Sequence, residues 1–133
     1  MIVDANVWIS AVVKRDRFYQ RSRHWLRSQT GAHTTLLVPA LAIVEVAGAV
    51  ARVENSASRG RHVARWMLRS PNIEVIAMTE MLIERGAQIA ADHQIRGSDA
   101  VYAAAAVELS VPLVTWDAEL QRRAAALVNV IQP

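Results

Sequence analysis

Asp4, Glu45, Asp99 and Asp117 each stand beside or within an apolar run. Asp4 ends Met1-Ile2-Val3, and Glu45 lies in the middle of Leu36 to Val53. Asp99 opens a run of alanines and valines, and Asp117 follows Pro112-Leu113-Val114-Thr115-Trp116. A carboxylate in apolar surroundings is costly unless it is paired, hydrogen-bonded or bound to metal. Four of them, two at the C-terminal ends of expected strands, point to a shared site. The natural partner of four acidic oxygens is a hard cation, and Mg²⁺ or Mn²⁺ suits them best.

Each acid also has a plainer reading. Asp4, Asp99 and Asp117 could cap the helices that follow them, although Ser98 is the better cap beside Asp99. Glu45 could pair with Arg52, yet a mid-helix acid between Val44 and Val46 has little other structural reason. Asn6 reads as a helix cap and Thr115 as an ordinary strand residue. Arg96, on the turn before Asp99, either pairs with a site acid or holds a substrate phosphate, with the pairing role favoured.

The elements that must position these residues follow from periodicity. Short apolar runs at Met1–Asp4, Leu36–Val38, Ile73–Ile76, Val111–Thr115 and Leu127–Ile131 read as strands. Helical segments are expected over Asn6–Val13, Arg17–Ser28, Ala40–Glu54, Arg61–Arg69, Thr79–His93, Asp99–Leu109 and Asp117–Arg123. Gln29–His33 and Asn55–Gly60 read as breaks. In the basic helix Arg61–Arg69, Val63, Trp66 and Met67 are expected to face inward. Strands separated by helices predict a three-layer α/β/α sandwich around a mostly parallel sheet of four to five strands. Ligands of such sheets bind beyond the carboxyl ends of the strands, where the four acids can converge. The length of 133 residues, without linker or repeat, is expected to form one domain spanning 1–133.

Composition narrows the classes further. The hydrophobic fraction of 53% argues against disorder. The absence of cysteine excludes disulfides, thiolate catalysis and cysteine-zinc sites, and fits a cytoplasmic location. No signal peptide is expected, since the first apolar run carries Asp4 and lacks a basic start. Leu36–Val53 approaches the length of a membrane span, but Glu45 at its centre would cost about 2.5 kcal/mol or more in a bilayer; no membrane association is expected. The net charge of +3 divides unevenly: residues 1–70 hold 11 Lys/Arg against 4 Asp/Glu, and residues 71–133 hold 4 against 8. Fourteen of the fifteen basic residues are arginine, whose fork suits phosphate. The basic segments Lys14–Arg27 and Arg59–Arg69 therefore make Arg15, Arg17, Arg61, Arg65 and Arg96 candidates for RNA contact. Trp8, Trp25, Trp66 and Trp116 read as core or partner-facing anchors. His24, His33, His62 and His93 have no metal-ligand spacing and read as surface residues.

Taken in order, Ile2-Val3-Asp4-Ala5-Asn6, Pro39-Ala40-Leu41-Ala42-Ile43-Val44-Glu45-Val46, Gly97-Ser98-Asp99-Ala100-Val101-Tyr102-Ala103-Ala104-Ala105 and Val114-Thr115-Trp116-Asp117 resemble the four motifs of the PIN-domain family. Within that family the chain resembles the small VapC-type toxin ribonucleases, over essentially its whole length. Each motif alone is a common string; four in order at fitting intervals are specific. The resemblance implies that Asp4, Glu45, Asp99 and Asp117 bind divalent metal and carry catalysis, with Asn6 and Thr115 helping to hold water at the metal. It implies a Mg²⁺- or Mn²⁺-dependent endoribonuclease that leaves a 5′-phosphate and a 3′-hydroxyl. It also implies a small cognate antitoxin as partner, with homodimer formation. The alternative from a different class is a non-catalytic RNA-binding or scaffold module. A receiver domain is disfavoured because Lys14 is the only lysine, and an aspartyl phosphatase because Asn6 stands where a second Asp is wanted.

Overall fold

Five short strands, β1 (Ile2–Val3), β2 (Leu36–Pro39), β3 (Ile73–Ile76), β4 (Leu113–Val114) and β5 (Val130–Ile131), form one sheet in the computed structural model, which describes residues 1–133. Every pairing is parallel, and the order across the sheet is β3-β2-β1-β4-β5. Ile2 pairs with Leu37 on one side and Leu113 on the other, so β1 is central. Its two residues are fully buried, as a strand covered on both faces must be.

Seven helices connect and cover the strands: α1 (Ala5–Val12), α2 (Tyr19–Gly31), α3 (Ala40–Val53), α4 (Ala57–Arg69), α5 (Glu80–His93), α6 (Gly97–Glu108) and α7 (Ala118–Ala124). Right-handed crossovers carry β1 to β2 to β3 in one direction and β3 to β4 to β5 in the other. The first two connections therefore lie on one face and the last two on the opposite face. Packing follows this division: α1 meets α2 and α3, α3 meets α4, and α5 meets α6. The result is the three-layer parallel α/β architecture expected from the sequence.

A cluster of 27 buried apolar residues fills the space between layers. On α6 the alanines Ala100 and Ala103–Ala106 are buried, so this helix lies close against β1, β2 and β4. Gly60 does the same for α3 and α4. A Cβ there would lie 2.4 Å from the Ala47 carbonyl oxygen and 2.9 Å from Ala51 Cβ.

Several boundaries differ from the sequence expectations. The cap of α1 is Asp4, whose side chain accepts from the Asn6 amide; Asn6 lies inside the helix. Ser98 does not cap α6, which begins at Gly97 with Arg96 at the cap position and no side-chain cap bond. Helix α2 runs on through Gln29–Gly31, because nothing there interrupts it; the chain leaves the helix only where His33 takes a left-handed φ of 54°. Helix α4 starts at Ala57, since Ser56 accepts from the Arg59 amide and the tight approach to α3 accommodates Gly60. Of the three side chains expected to face inward on α4, Val63 and Met67 are buried but Trp66 is 45% exposed. Trp66 instead sets its ring edge-on to Trp8, with centroids 6.0 Å apart. His93 is half-buried rather than a surface residue, while His24, His33 and His62 are exposed. Thr79 caps α5, and Asp117 caps α7, the plainer reading of that residue.

Candidate active site at the sheet switch point

The sheet changes direction between β1 and β4, and the residues just past these two strands are Asp4 and Thr115-Trp116-Asp117. This is the crevice in which open parallel sheets bind ligands. Helix α3 brings Glu45 and helix α6 brings Asp99 to the same rim. The charges of Glu45 and Asp99 act on Asp4, and those of Asp117 and Glu45 act on Asp99.

Asp4 is the innermost acid, 5% exposed. Its Oδ2 accepts from Thr115 Oγ1 at 2.5 Å and from Asn6 Nδ2 at 2.6 Å. Asn6 Nδ2 also donates to Thr115 Oγ1 at 2.9 Å, and Asn6 Oδ1 accepts from the Trp116 amide at 3.1 Å. The Asp117 amide donates to Thr115 Oγ1 at 3.0 Å. Asn6 and Thr115 thus form a bracket that fixes the buried carboxylate and ties the end of β1 to the end of β4. Burial nevertheless dominates the electrostatics. It pushes the Asp4 carboxyl up to about 7, against the two donors, and the nearby charges of Asp99 and Glu45 push the same way.

Glu45 does not pair with Arg52. Its Oε2 accepts from the hydroxyl of Tyr102 at 2.5 Å. Tyr102 is a residue the sequence reading passed over, although it sits one helical turn after Asp99 and therefore on the same face of α6. Its ring is buried and its hydroxyl lies against Glu45, so ionisation is pushed far up, with burial the largest cause. Tyr102 is accordingly a donor to Glu45 at any ordinary pH.

Asp99 and Asp117 share one cation. Arg96 Nε donates to Asp99 Oδ2 at 2.7 Å, and Arg96 Nη2 donates to Asp117 Oδ2 at 2.6 Å. Burial raises the Asp99 carboxyl, and Arg96 opposes that rise. Asp117 Oδ1 is committed to capping α7, accepting from the Glu119 and Leu120 amides.

Behind Trp116 lies a second support. Its indole donates to Ser22 Oγ at 2.7 Å, Ser22 and Ser10 share a 2.6 Å hydrogen bond, and Phe18 stacks on the indole at 4.1 Å. Helix α2 thereby braces the loop that carries Asp117. Nothing in the sequence spacing announces this contact, because it joins residues 94 positions apart.

The arginines divide. Arg96 alone among the five candidates touches the acids. Arg15 donates to the Val53 carbonyl and Arg17 lies over the Phe18 ring. Arg61 and Arg65 are exposed on α4 and form no ion pair.

The donor set suits a divalent cation. It is all carboxylate oxygen, as Mg²⁺ and Mn²⁺ require, and only one cation accompanies four acids. As arranged, however, no three of these acids gather closely enough to hold an ion. The side chains of Asp99 and Asp117 are engaged by Arg96 instead.

A parallel sheet with an acidic rim at its switch point places the chain among the α/β proteins that gather functional side chains beyond the strand ends. The chain belongs to the PIN-domain family, whose model matches residues 1–126. No curated protein matches it in sequence. Among solved structures it is similar to Mycobacterium tuberculosis VapC20, a sarcin–ricin loop cleaving toxin. That match has a TM-score of 0.82 and 17% identity, covering 99% of this chain and 98% of the other. FitAcB from Neisseria gonorrhoeae is similar at TM-score 0.72 and 22% identity, covering 98% and 95%. A toxin–antitoxin complex from Klebsiella pneumoniae is similar at TM-score 0.71 and 16% identity, covering 98% and 94%. At these identities the likeness is one of fold, and the fold is that of the VapC-type toxin structures.

Proposed function

We propose that the chain is one PIN domain acting as a divalent-metal-dependent endoribonuclease, the toxin of a toxin–antitoxin pair. The observation that carries this reading is the buried Asp4, bracketed by Asn6 and Thr115 at the switch point and within electrostatic reach of Glu45 and Asp99. In this reading Asp4, Glu45, Asp99 and Asp117 hold Mg²⁺ or Mn²⁺. When bound, such an ion supplies a Lewis acid for phosphodiester hydrolysis, with an activated water as nucleophile.

The chain's own residues do the rest. Asn6 and Thr115 fix the Asp4 carboxylate through its Oδ2, and the Asn6 backbone amide holds its Oδ1. Tyr102 holds the Glu45 carboxylate by donating to its Oε2. The brace of Trp116 on Ser22 keeps Asp117 at the rim while its second oxygen caps α7. Exposed Arg61 and Arg65 offer forks for RNA phosphates.

An antitoxin partner has a surface to use. A cavity of about 630 Å³ lies between α1, α2, α4 and the starts of β2 and β3, lined by Trp8, Leu26, Leu36, Trp66 and Ile73. Lys14, Arg23 and Arg27 line it without a carboxylate partner. An apolar segment with acidic flanks would match this lining. Large apolar side chains are left exposed in both helical layers, Val44 and Leu68 in one and Met81, Ile83 and Leu109 in the other, and either set offers area to a second copy in a homodimer.

The test is incubation of the purified protein with a pool of structured RNAs, in Mg²⁺ or Mn²⁺ and in chelator, beside Asp4→Asn and Asp99→Asn. We expect metal-dependent cutting by the wild type and a loss of about a hundredfold or more in both variants, with circular dichroism unchanged. Undiminished cutting in both variants overturns the assignment. RNA binding without metal-dependent cutting by the wild type moves the reading to a non-catalytic RNA-binding module.

A further inference from the structure

The rim holds four carboxylates, and three observations set Arg96 apart among the groups that face them. First, it bridges. Its two nitrogens reach Asp99 at 2.7 Å and Asp117 at 2.6 Å, acids carried by different helices. No other side chain donates to either acid, whereas Asp4 has Thr115 and Asn6, and Glu45 has Tyr102. Second, it is free to leave. The Arg96 side chain is 68% exposed while Asp99 and Asp117 are 17% and 25% exposed, so the cation sits in the mouth and the acids behind it. Its neighbours Gly97 and Ser98 are also exposed, and a Cβ on Gly97 would meet nothing within 4 Å. Third, its backbone is fixed. The Arg96 carbonyl accepts from the Ala100 amide at 2.9 Å as the first bond of α6, so the side chain can swing without unwinding the helix.

An exposed ion pair of long side chains is a weak, exchangeable contact. A doubly bridging arginine in front of two half-buried acids nevertheless supplies the one positive charge that the cluster has. We propose that Arg96 is the resident counter-cation of the metal-free site: it occupies the mouth between Asp99 and Asp117 and competes with a divalent cation for those two carboxylates. The inference rests on the metal-dependent reading above and adds a competitor to it.

Competition and scaffolding predict opposite effects. If Arg96 were a strut that positions the acids, its removal would weaken metal binding. As a competitor, its removal strengthens it. The experiment is calorimetric titration of Mn²⁺ into metal-free wild type, Arg96→Gln and Arg96→Lys, with thermal melts in chelator and in saturating Mn²⁺. We expect Arg96→Gln to bind Mn²⁺ roughly tenfold tighter, the scale on which a close opposite charge shifts carboxylate occupancy. Its Tm in chelator falls below that of the wild type, and its gain in Tm on adding Mn²⁺ is larger. Arg96→Lys keeps the charge but cannot bridge both acids, so its affinity falls between the two; it also serves if the Gln variant does not fold. Mn²⁺ binding by the wild type with equal or weaker binding by both folded variants overturns the competition and leaves the nuclease reading intact. No Mn²⁺ binding by the wild type or either variant overturns the metal-dependent reading and the competition with it.

Discussion

Asp4 is the residue on which structure and chemistry meet. It ends the central strand, caps the first helix and lies buried among other acids. Its carboxyl is pushed up to about 7 in the folded chain, from 3.8, chiefly by burial. The folded protein therefore keeps a proton that the unfolded chain has lost. That stabilisation is complete below the unfolded value and disappears as pH rises through about 7. We expect the Tm of the metal-free protein to fall as pH is raised from about 5 to about 8, and Asp4→Asn to lack most of the fall. A flat wild-type profile in thermal melts would contradict the assignment. The four acids were legible in the sequence because each interrupts an apolar run. Their second partners were not. Tyr102 lies within one of the four motifs, yet an aromatic in an alanine-rich helix reads as core, and only the fold aims its hydroxyl at Glu45. Asn6 read as a cap because Asn commonly caps; Asp4, two positions earlier, took that role and turned Asn6 toward Thr115.

At the scale of elements, the strands and helices were found in the right order, and errors gathered at their ends. Apolar periodicity reports which residues face a core, but it is silent where a helix runs on into polar residues, as at Gln29–Gly31. Gly60 misled for a different reason. A glycine among serines and arginines reads as a break, whereas here its missing side chain lets α4 touch α3. Gly60→Ala would ordinarily stabilise a helix by its propensity. With the Ala47 carbonyl 2.4 Å from the added carbon, we expect instead a loss of about 1–3 kcal/mol, as overpacking costs. Urea unfolding of the variant reads this directly, and an unchanged midpoint would refute it.

Over the whole molecule, positive charge lies with the N-terminal half and negative charge with the C-terminal half. Arg61 and Arg65 have no ion pair to give up, so phosphate can engage them without first breaking a contact. On the nuclease reading, RNA affinity of the Asp4→Asn protein falls with salt. Arg61→Ala and Arg65→Ala should each lower the slope of log affinity against log salt by about 1. Filter binding over a salt series measures it, and slopes equal to that of the parent would remove both arginines from the interface.

The strand order bears on when, during synthesis, the acidic rim can assemble. Its central strand is made first, but Asp4 gains its Thr115 bracket only when β4 arrives, over a hundred residues later. A chain still emerging from the ribosome has Asp4 and Glu45 but neither Asp99 nor Asp117, and its first strand lacks one neighbour. Synthesis itself thus acts as a timer: the acidic rim cannot close until Thr115 and Asp117 have been translated.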